Sequence, residues 1–482
     1  MATKAEIQSD ERWVFEKGFQ NNPETPEPVE LQVKGNIPKW VEGVLHRNGP
    51  GTFEIPVEKN KSVFKFHHWF DGLAQVHRFE IRDGKVTYRS RSIATAIEKA
   101  IAENGRNPDI TFAQDLLSAK THRQLVAQTD ANILKTLDPI TLEPIKVFNF
   151  SEYDPRLNGE MSPAHPQYDA STGEFISFTQ KNGPKTKYTV FSIRKDLETG
   201  KPITKILSTI EASKSVYLHS FSLTKKYVIL ILWQCDLGWN GLKVVWNKNL
   251  MKAFKPWNKN ESTYYYVIDR DRQKHVATYT SPTYFCFHTL NAWDENDDIM
   301  LDLIQYEDNN IIEELALPVL LGELKANEEL LISKSRLTRY RLPKVSEKLT
   351  SVAASEHPKK LPSAETVFQK HRFVYGGNTS KSNGRLLDAI LKLDLERNPD
   401  GSFSYKKWEQ WSCTPSEPIF IPAPNAVEED DGVVLSVVLD GIKGTSLLLV
   451  LNAKSFNEIA RAELEYGKVI PYGFHGVWKN EN

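Results

Sequence analysis

Only three cysteines, Cys235, Cys286 and Cys413, occur among 482 residues. They are odd in number, far apart and without a C-x-x-C pair. That argues against a disulfide framework and a cysteine-held zinc ion, and it fits a reducing compartment. Long hydrophobic runs are also missing. The longest, Tyr227 to Trp233, is too short to span a bilayer. The opening MATKAEIQSDERWVFEKGF has no apolar signal-peptide core and mixes acids with bases, unlike a transit peptide. A cytoplasmic chain is expected, at most resting on a membrane surface. Net charge is nearly absent too: 61 Lys and Arg against 62 Asp and Glu leave −1, so no basic field points to nucleic acid. Neither G-x-x-x-x-G-K nor G-x-S-x-G occurs, which leaves nucleotide hydrolysis and serine hydrolase chemistry without support.

What the chain does have is short β-forming runs separated by turns. FEIRDGKVTYRSR (79–91), STYYYVIDRDRQKHVATYTS (262–281) and DDGVVLSVVLD (430–440) are examples, and Asp-Gly pairs at 83–84, 400–401 and 431–432 carry hairpin chemistry. Similar strand–Asx turn–strand phrases recur at 137–150, 168–178 and 451–464. Many short, self-similar strands predict an all-β fold, and the repetition favours a propeller. Residues 1–30, with Pro23, Pro26 and Pro28, read as a lead-in arm, and 31–482 as a single domain. Three insertions interrupt the strand pattern. Residues 94–120 and 311–333 have helical spacing; 236–260 interleaves Trp239, Trp246 and Trp257 with Lys243, Lys248, Lys252, Lys255 and Lys259. Trp and Lys together suit a bilayer interface, and an ordinary surface loop is the competing reading.

Histidine is where the chemistry concentrates. His165, His219 and His288 each lead a short stretch, a polar turn and a run of β-formers, while His475 stands among glycines in GFHG. Histidines at equivalent places in repeated hairpins converge if the units surround an axis, and imidazole is the commonest side-chain metal ligand. Such an all-nitrogen site would suit Fe(II) with open positions for O₂, with zinc as the rival metal. Metal-binding imidazoles need partners for their other nitrogen, usually carboxylates. Glu417, between prolines, and Asp130, in VAQTDANIL, are candidates; a turn or cap role is the alternative for each. His67, His68 and His77 are read as structural, with Asp71-Gly72 turning a hairpin and HRNGPG (46–51) a tight turn.

Eight blocks, in order, resemble the carotenoid cleavage oxygenases: LHRNGPG (45–51), HHWFDGLAQVHRFEI (67–81), DPITLEP (138–144), AHPQYD (164–169), YLHSFSLTKKYVIL (217–230), CFHTLNAWDEND (286–297), SEPIFIPAPNAVEEDDGVVLSVV (416–438) and YGFHGVW (472–478). The resemblance implies a seven-bladed β-propeller with helical and loop insertions forming a dome over an axial site. By motif it implies one Fe(II) per chain on His165, His219, His288 and His475. It implies orienting carboxylates at Glu417, at Asp130 where the family has Glu, and at Glu365 for His288. With one methylene fewer, Asp130 is expected to need a backbone shift or a water to reach His219. Thr129 falls beside the open position on iron; stilbene-cleaving members place Lys there, so Thr resembles the carotenoid and retinoid branch. The implied reaction is O₂-dependent cleavage of a carotenoid or apocarotenoid double bond into two carbonyl products. Stilbene cleavage, retinoid isomerohydrolysis and a non-catalytic binding propeller are the alternatives. The implied partners are an apolar polyene, O₂ and, through 236–260, a membrane surface.

Overall fold

The computed structural model describes residues 13–107, 116–121, 124–323, 335–345, 354–356, 370–379 and 386–480. Among these residues, seven antiparallel sheets follow one another as the blades of a β-propeller, with one further two-stranded hairpin (Glu54–Pro56 and Val63–Lys65). Most blades are simple meanders. The third runs Gln167–Asp169, Glu174–Lys181, Thr186–Lys195 and Pro202–Ala212, and the fourth runs Ser222–Leu223, Tyr227–Leu232, Ser262–Asp269 and Lys274–Pro282. The fifth begins with Phe285–Glu295 and Asp298–Tyr306.

Two blades mix the ends of the chain, and this closes the ring. In the first, the C-terminal strand His475–Asn480 pairs with Gly43–Thr52, placing His475 opposite Asn48. In the seventh, Gln32–Gly35 pairs with Glu458–Glu463. Closure leaves no blade at the end of a row, which removes an exposed sheet face.

Burial explains the strand composition. Inner strands lie between neighbouring blades, so both faces are covered and the sequence reads as an apolar run. Thr445–Asn452, TSLLLVLN, is buried along all but its last residue. The outer strand Phe403–Glu409, FSYKKWE, is mostly exposed and largely polar. One Asp-Gly pair makes the expected two-residue turn: Asp83 and Gly84 both take positive φ, 50° and 71°, in the hairpin joining Leu73–Arg82 to Lys85–Ser92. At 400–401 only Gly401 does so, φ 81°, and Asp431-Gly432 is no such turn, since Gly432 opens the strand Gly432–Asp440.

The structure differs from the sequence pattern in several places. Thr25–Glu30, inside the expected lead-in, is a strand paired with Lys85–Ser92, and Trp13, Phe15 and Phe19 are buried. Of the described residues in 94–120, Thr95–Asn104 form a helix, and Leu116–Thr121 is a strand of the second blade. In 311–333 the described part holds two short helices, Asn310–Glu314 and Leu317–Leu320. HRNGPG is no turn but part of the buried strand Gly43–Thr52. Asp71 ends a 3₁₀ turn, Trp69–Asp71, instead of a hairpin, because His68 Nδ1 accepts the Phe70 N–H at 3.1 Å and caps the turn.

His68 and His77 are structural, as read, and His46 joins them. His68 Nε2 bonds Ile312 O at 2.9 Å, His77 Nδ1 bonds the Tyr88 hydroxyl at 2.9 Å, and His46 Nε2 bonds Pro139 O at 3.0 Å. Burial pushes His46 and His68 down to about 4 and His77 to about 3. Unfolded histidines bind protons near pH 6.5, so the folded state holds fewer protons below that pH and loses stability as pH falls. Each group contributes about 1.4 kcal/mol per pH unit. The three together predict a loss of about 4 kcal/mol per unit between roughly pH 6 and 4.5. Denaturant midpoints measured across that range would show it; a flat profile would contradict neutral burial of these rings.

Candidate metal centre

His165 and His219 sit just before the first strands of blades three and four, His288 lies within the first strand of blade five, and His475 opens the strand that closes blade one. Four equivalent places in the ring therefore present imidazoles to one point. The ring centre of His165 lies 4.7 Å from that of His219, 4.6 Å from His288 and 4.6 Å from His475. One nitrogen from each ring falls within 4.8 Å of the others. Glycine permits part of this convergence. A Cβ on Gly49 would lie 2.3 Å from Gly473 Cα, and one on Gly476 would lie 2.6 Å from Arg47 Cδ. Only bare backbone lets the segment bearing His475 lie so close to the strand bearing Arg47.

Among the described residues, carboxylates orient two of the rings. His475 Nδ1 donates to Glu417 Oε1 at 2.8 Å, and Glu417 Oε2 accepts the Gly476 N–H at 2.9 Å and Arg47 Nη1 at 3.3 Å. Burial alone would raise the Glu417 carboxyl; His475, Arg47 and the Gly476 N–H outweigh it and hold it below the usual range. Arg47 is lowered by burial against the pull of Glu417. As a guanidinium it still stays charged.

Asp130 reaches His219 directly, with no water between them. His219 Nδ1 lies 3.0 Å from both carboxylate oxygens. The backbone supplies the missing reach: Asp130 O accepts the Ser162 N–H at 3.2 Å and Oδ1 accepts the Ala164 N–H at 3.1 Å. This ties Asp130 to the segment leading into His165. The Tyr217 hydroxyl donates to Asp130 Oδ2 at 2.7 Å. Burial, then the Asp130 charge, pushes that phenol well above 10, so it stays a donor.

With Nδ1 engaged, His219 and His475 present Nε2 to the cluster. His165 and His288 have buried Nε2 atoms without a hydrogen-bond partner among the described residues. Burial, followed by the neighbouring histidines, pushes both rings well below 6.5, so they are neutral with a free lone pair. Two orphaned buried acceptors cost roughly 1–3 kcal/mol each. Four imidazoles around one point, two of them neutral with free lone pairs, fit a divalent metal, which would satisfy those lone pairs.

The family model described as retinal pigment epithelial membrane protein matches residues 18–480. The chain belongs to this family, that of the carotenoid oxygenases. Relatives of this carotenoid oxygenase include a carotenoid dioxygenase of Neurospora crassa, 33% identical over 97% of this chain and 91% of that one. A torulene dioxygenase of Fusarium fujikuroi is 30% identical, covering 96% and 93%. The human β,β-carotene 15,15'-dioxygenase is 29% identical, covering 92% and 91%. This oxygenase is an enzyme of the dioxygenase class. Among solved structures, an apocarotenoid oxygenase mutant from Synechocystis superposes with a TM-score of 0.75 at 23% identity, covering 97% of this chain and 98% of that one. The seven-bladed propeller is therefore the fold on both counts. A cobalt-substituted form of the same Synechocystis protein matches at a TM-score of 0.74.

Beside the histidines of this carotenoid oxygenase stands an aromatic wall that the sequence reading did not single out. Phe287 packs against His219 with ring centres 5.6 Å apart, and Phe70 bridges Phe287 at 5.9 Å and Phe474 at 5.2 Å. Two of these residues adjoin a histidine in sequence, which was the available signal. Phe70 is held by the 3₁₀ turn, itself pinned to the 310–320 helices through Trp69 N to Leu315 O and Leu317 N to His67 O. Thr129 precedes Asp130, and its Oγ1 accepts the Ala131 N–H at 3.1 Å. Glu365 lies outside the described residues. Arg47 and Tyr217, also missed, lie within the blocks LHRNGPG and YLHSF. Among the described residues no helix is long and apolar enough to cross a membrane. In 236–260, Trp239, Leu242 and Trp246 are exposed, whereas Leu250 is buried and Phe254 packs against Tyr217.

Proposed function

We propose that this carotenoid oxygenase holds one Fe(II) on His165, His219, His288 and His475 and cleaves a C=C bond of a carotenoid or apocarotenoid with O₂. The observation that carries the reading is the cluster of four converging imidazoles, two of them with buried Nε2 atoms that have no partner among the described residues. Both oxygen atoms end in the products, one on each carbonyl carbon. Iron bound there would supply the O₂ chemistry that side chains lack. The protein does the rest by position. Asp130 and Glu417 keep the Nδ1–H of His219 and His475 engaged, which fixes the tautomer and turns Nε2 inward. Phe70, Phe287 and Phe474 offer an apolar face for the polyene and exclude water, so placement selects the bond that reacts. Thr129 stands where a charged residue would suit a phenol, and its neutral side chain suits a hydrocarbon. The relatives named for carotenoid, torulene and β-carotene agree with this substrate class. The exposed Trp239, Leu242 and Trp246 would meet the membrane from which a cytoplasmic enzyme draws such a lipid.

Product identification with β-carotene, torulene, an apocarotenal and resveratrol, each supplied in detergent and in anionic vesicles, tests the proposal. Aldehyde or ketone fragments from a carotenoid or apocarotenoid are expected. Trp246→Glu should slow the vesicle reaction severalfold and leave the detergent rate unchanged. Turnover of resveratrol alone would replace the substrate assignment, and equal loss in both media would remove the membrane assignment.

A further inference from the structure

We propose that Tyr217 is a positioning residue that acts through Asp130 to set the metal-binding ring of His219. The inference rests on the metal-site reading above and extends it to a residue outside the ligand set. Asp130 has a short side chain, and its carboxylate can rotate about χ2. Its position equidistant from His219 Nδ1, 3.0 Å from each oxygen, needs something to hold each oxygen. The Ala164 N–H fixes Oδ1 at 3.1 Å, and the Tyr217 hydroxyl fixes Oδ2 at 2.7 Å. The same hydroxyl oxygen lies 2.9 Å from His219 Nδ1, so phenol, carboxylate and imidazole form a closed triangle.

Tyr217 cannot drift away from that triangle. Its side chain is fully buried. Its backbone N–H donates to Cys235 O at 2.9 Å, and its carbonyl accepts the Trp233 indole N–H at 3.1 Å. Removing the hydroxyl would take a donor from Oδ2 and leave it to the His219 N–H, loosen the carboxylate and let the His219 ring tilt. Partners of this kind, one bond removed from a ligand, typically alter metal affinity 10–100-fold when lost.

The test is a double-mutant cycle on the full-length apoprotein, titrated calorimetrically with Co(II). In the native background Tyr217→Phe should weaken cobalt binding by about tenfold. In an Asp130→Asn background the same change should cost less than about twofold, because the partner it acts through is gone. A tyrosine that serves only packing would lose the same factor in both backgrounds, and that result would overturn the proposal. Failure of the unmodified protein to bind cobalt, or undiminished binding by His165→Ala, would instead overturn the metal-site reading. If Tyr217→Phe does not fold, difluorotyrosine at 217 keeps the ring and hydroxyl but changes donor strength. It should shift the cobalt absorption band in the native background and leave it in place in the Asp130→Asn background; an unshifted band in both would refute the coupling.

Discussion

Replacing His219 by alanine should leave the purified protein with almost no iron and no measurable polyene cleavage. Elemental analysis and turnover should fall together, each by at least about a hundredfold, since even the partner of a metal ligand is worth 10–100-fold. Two effects combine. One of four inward imidazoles is lost, and Asp130, with 3% of its surface exposed, loses the N–H that engaged both its oxygens. Its remaining donors, the Tyr217 hydroxyl and the Ala164 N–H, still hold the carboxylate. The fold should therefore survive with a cost of about 1–3 kcal/mol for the under-satisfied charge. Thermal melting of the apoprotein separates the two consequences: a small shift with complete metal loss is expected. Normal iron content in the variant would remove His219 from the ligand set and with it the four-histidine reading.

The blade pattern was legible because each hairpin carries its own local signals. Asp83-Gly84 turns where a type I′ hairpin needs two positive φ values, His165 and His219 lead comparable strands, and His288 lies inside the equivalent strand of the next blade. What stayed hidden depends on contacts between distant segments. Tyr217 meets Asp130 across 87 residues and Arg47 meets Glu417 across 370, and no periodicity encodes either pairing. Asp130 shows the limit of arguing from side-chain length. The missing methylene suggested a gap to His219, but the loop's own bonds to Ser162 and Ala164 place the backbone to close it. Similarly, the Leu116–Thr121 stretch has helical spacing yet forms a strand, because the second blade needs a fourth strand there and sheet pairing overrides local preference.

Glu417 is the position where loss should damage both stability and the metal site. Glu417→Ala leaves Arg47 as a guanidinium with only 3% of its side chain exposed and without its carboxylate partner. Breaking a buried pair from one side typically costs 3–5 kcal/mol. The remaining acceptors of Arg47, the carbonyls of Glu417 at 3.3 Å and Phe474 at 3.4 Å, carry no full charge to balance it. His475 loses its Nδ1 acceptor at the same stroke, so metal affinity should drop 10–100-fold. Glu417→Gln keeps the shape and one acceptor oxygen and should fall between the native protein and Glu417→Ala in both measurements. The pairing of Glu417→Ala with Arg47→Met separates the two roles. Removing both charges should recover much of the lost stability in urea denaturation, since replacing a whole buried pair is often neutral. It should recover none of the metal affinity, because the ring of His475 still has no carboxylate to orient it. Recovery of both would mean that Glu417 serves the fold alone; recovery of neither would mean that Arg47 packs against Gly476 and the closing strand for reasons other than its charge.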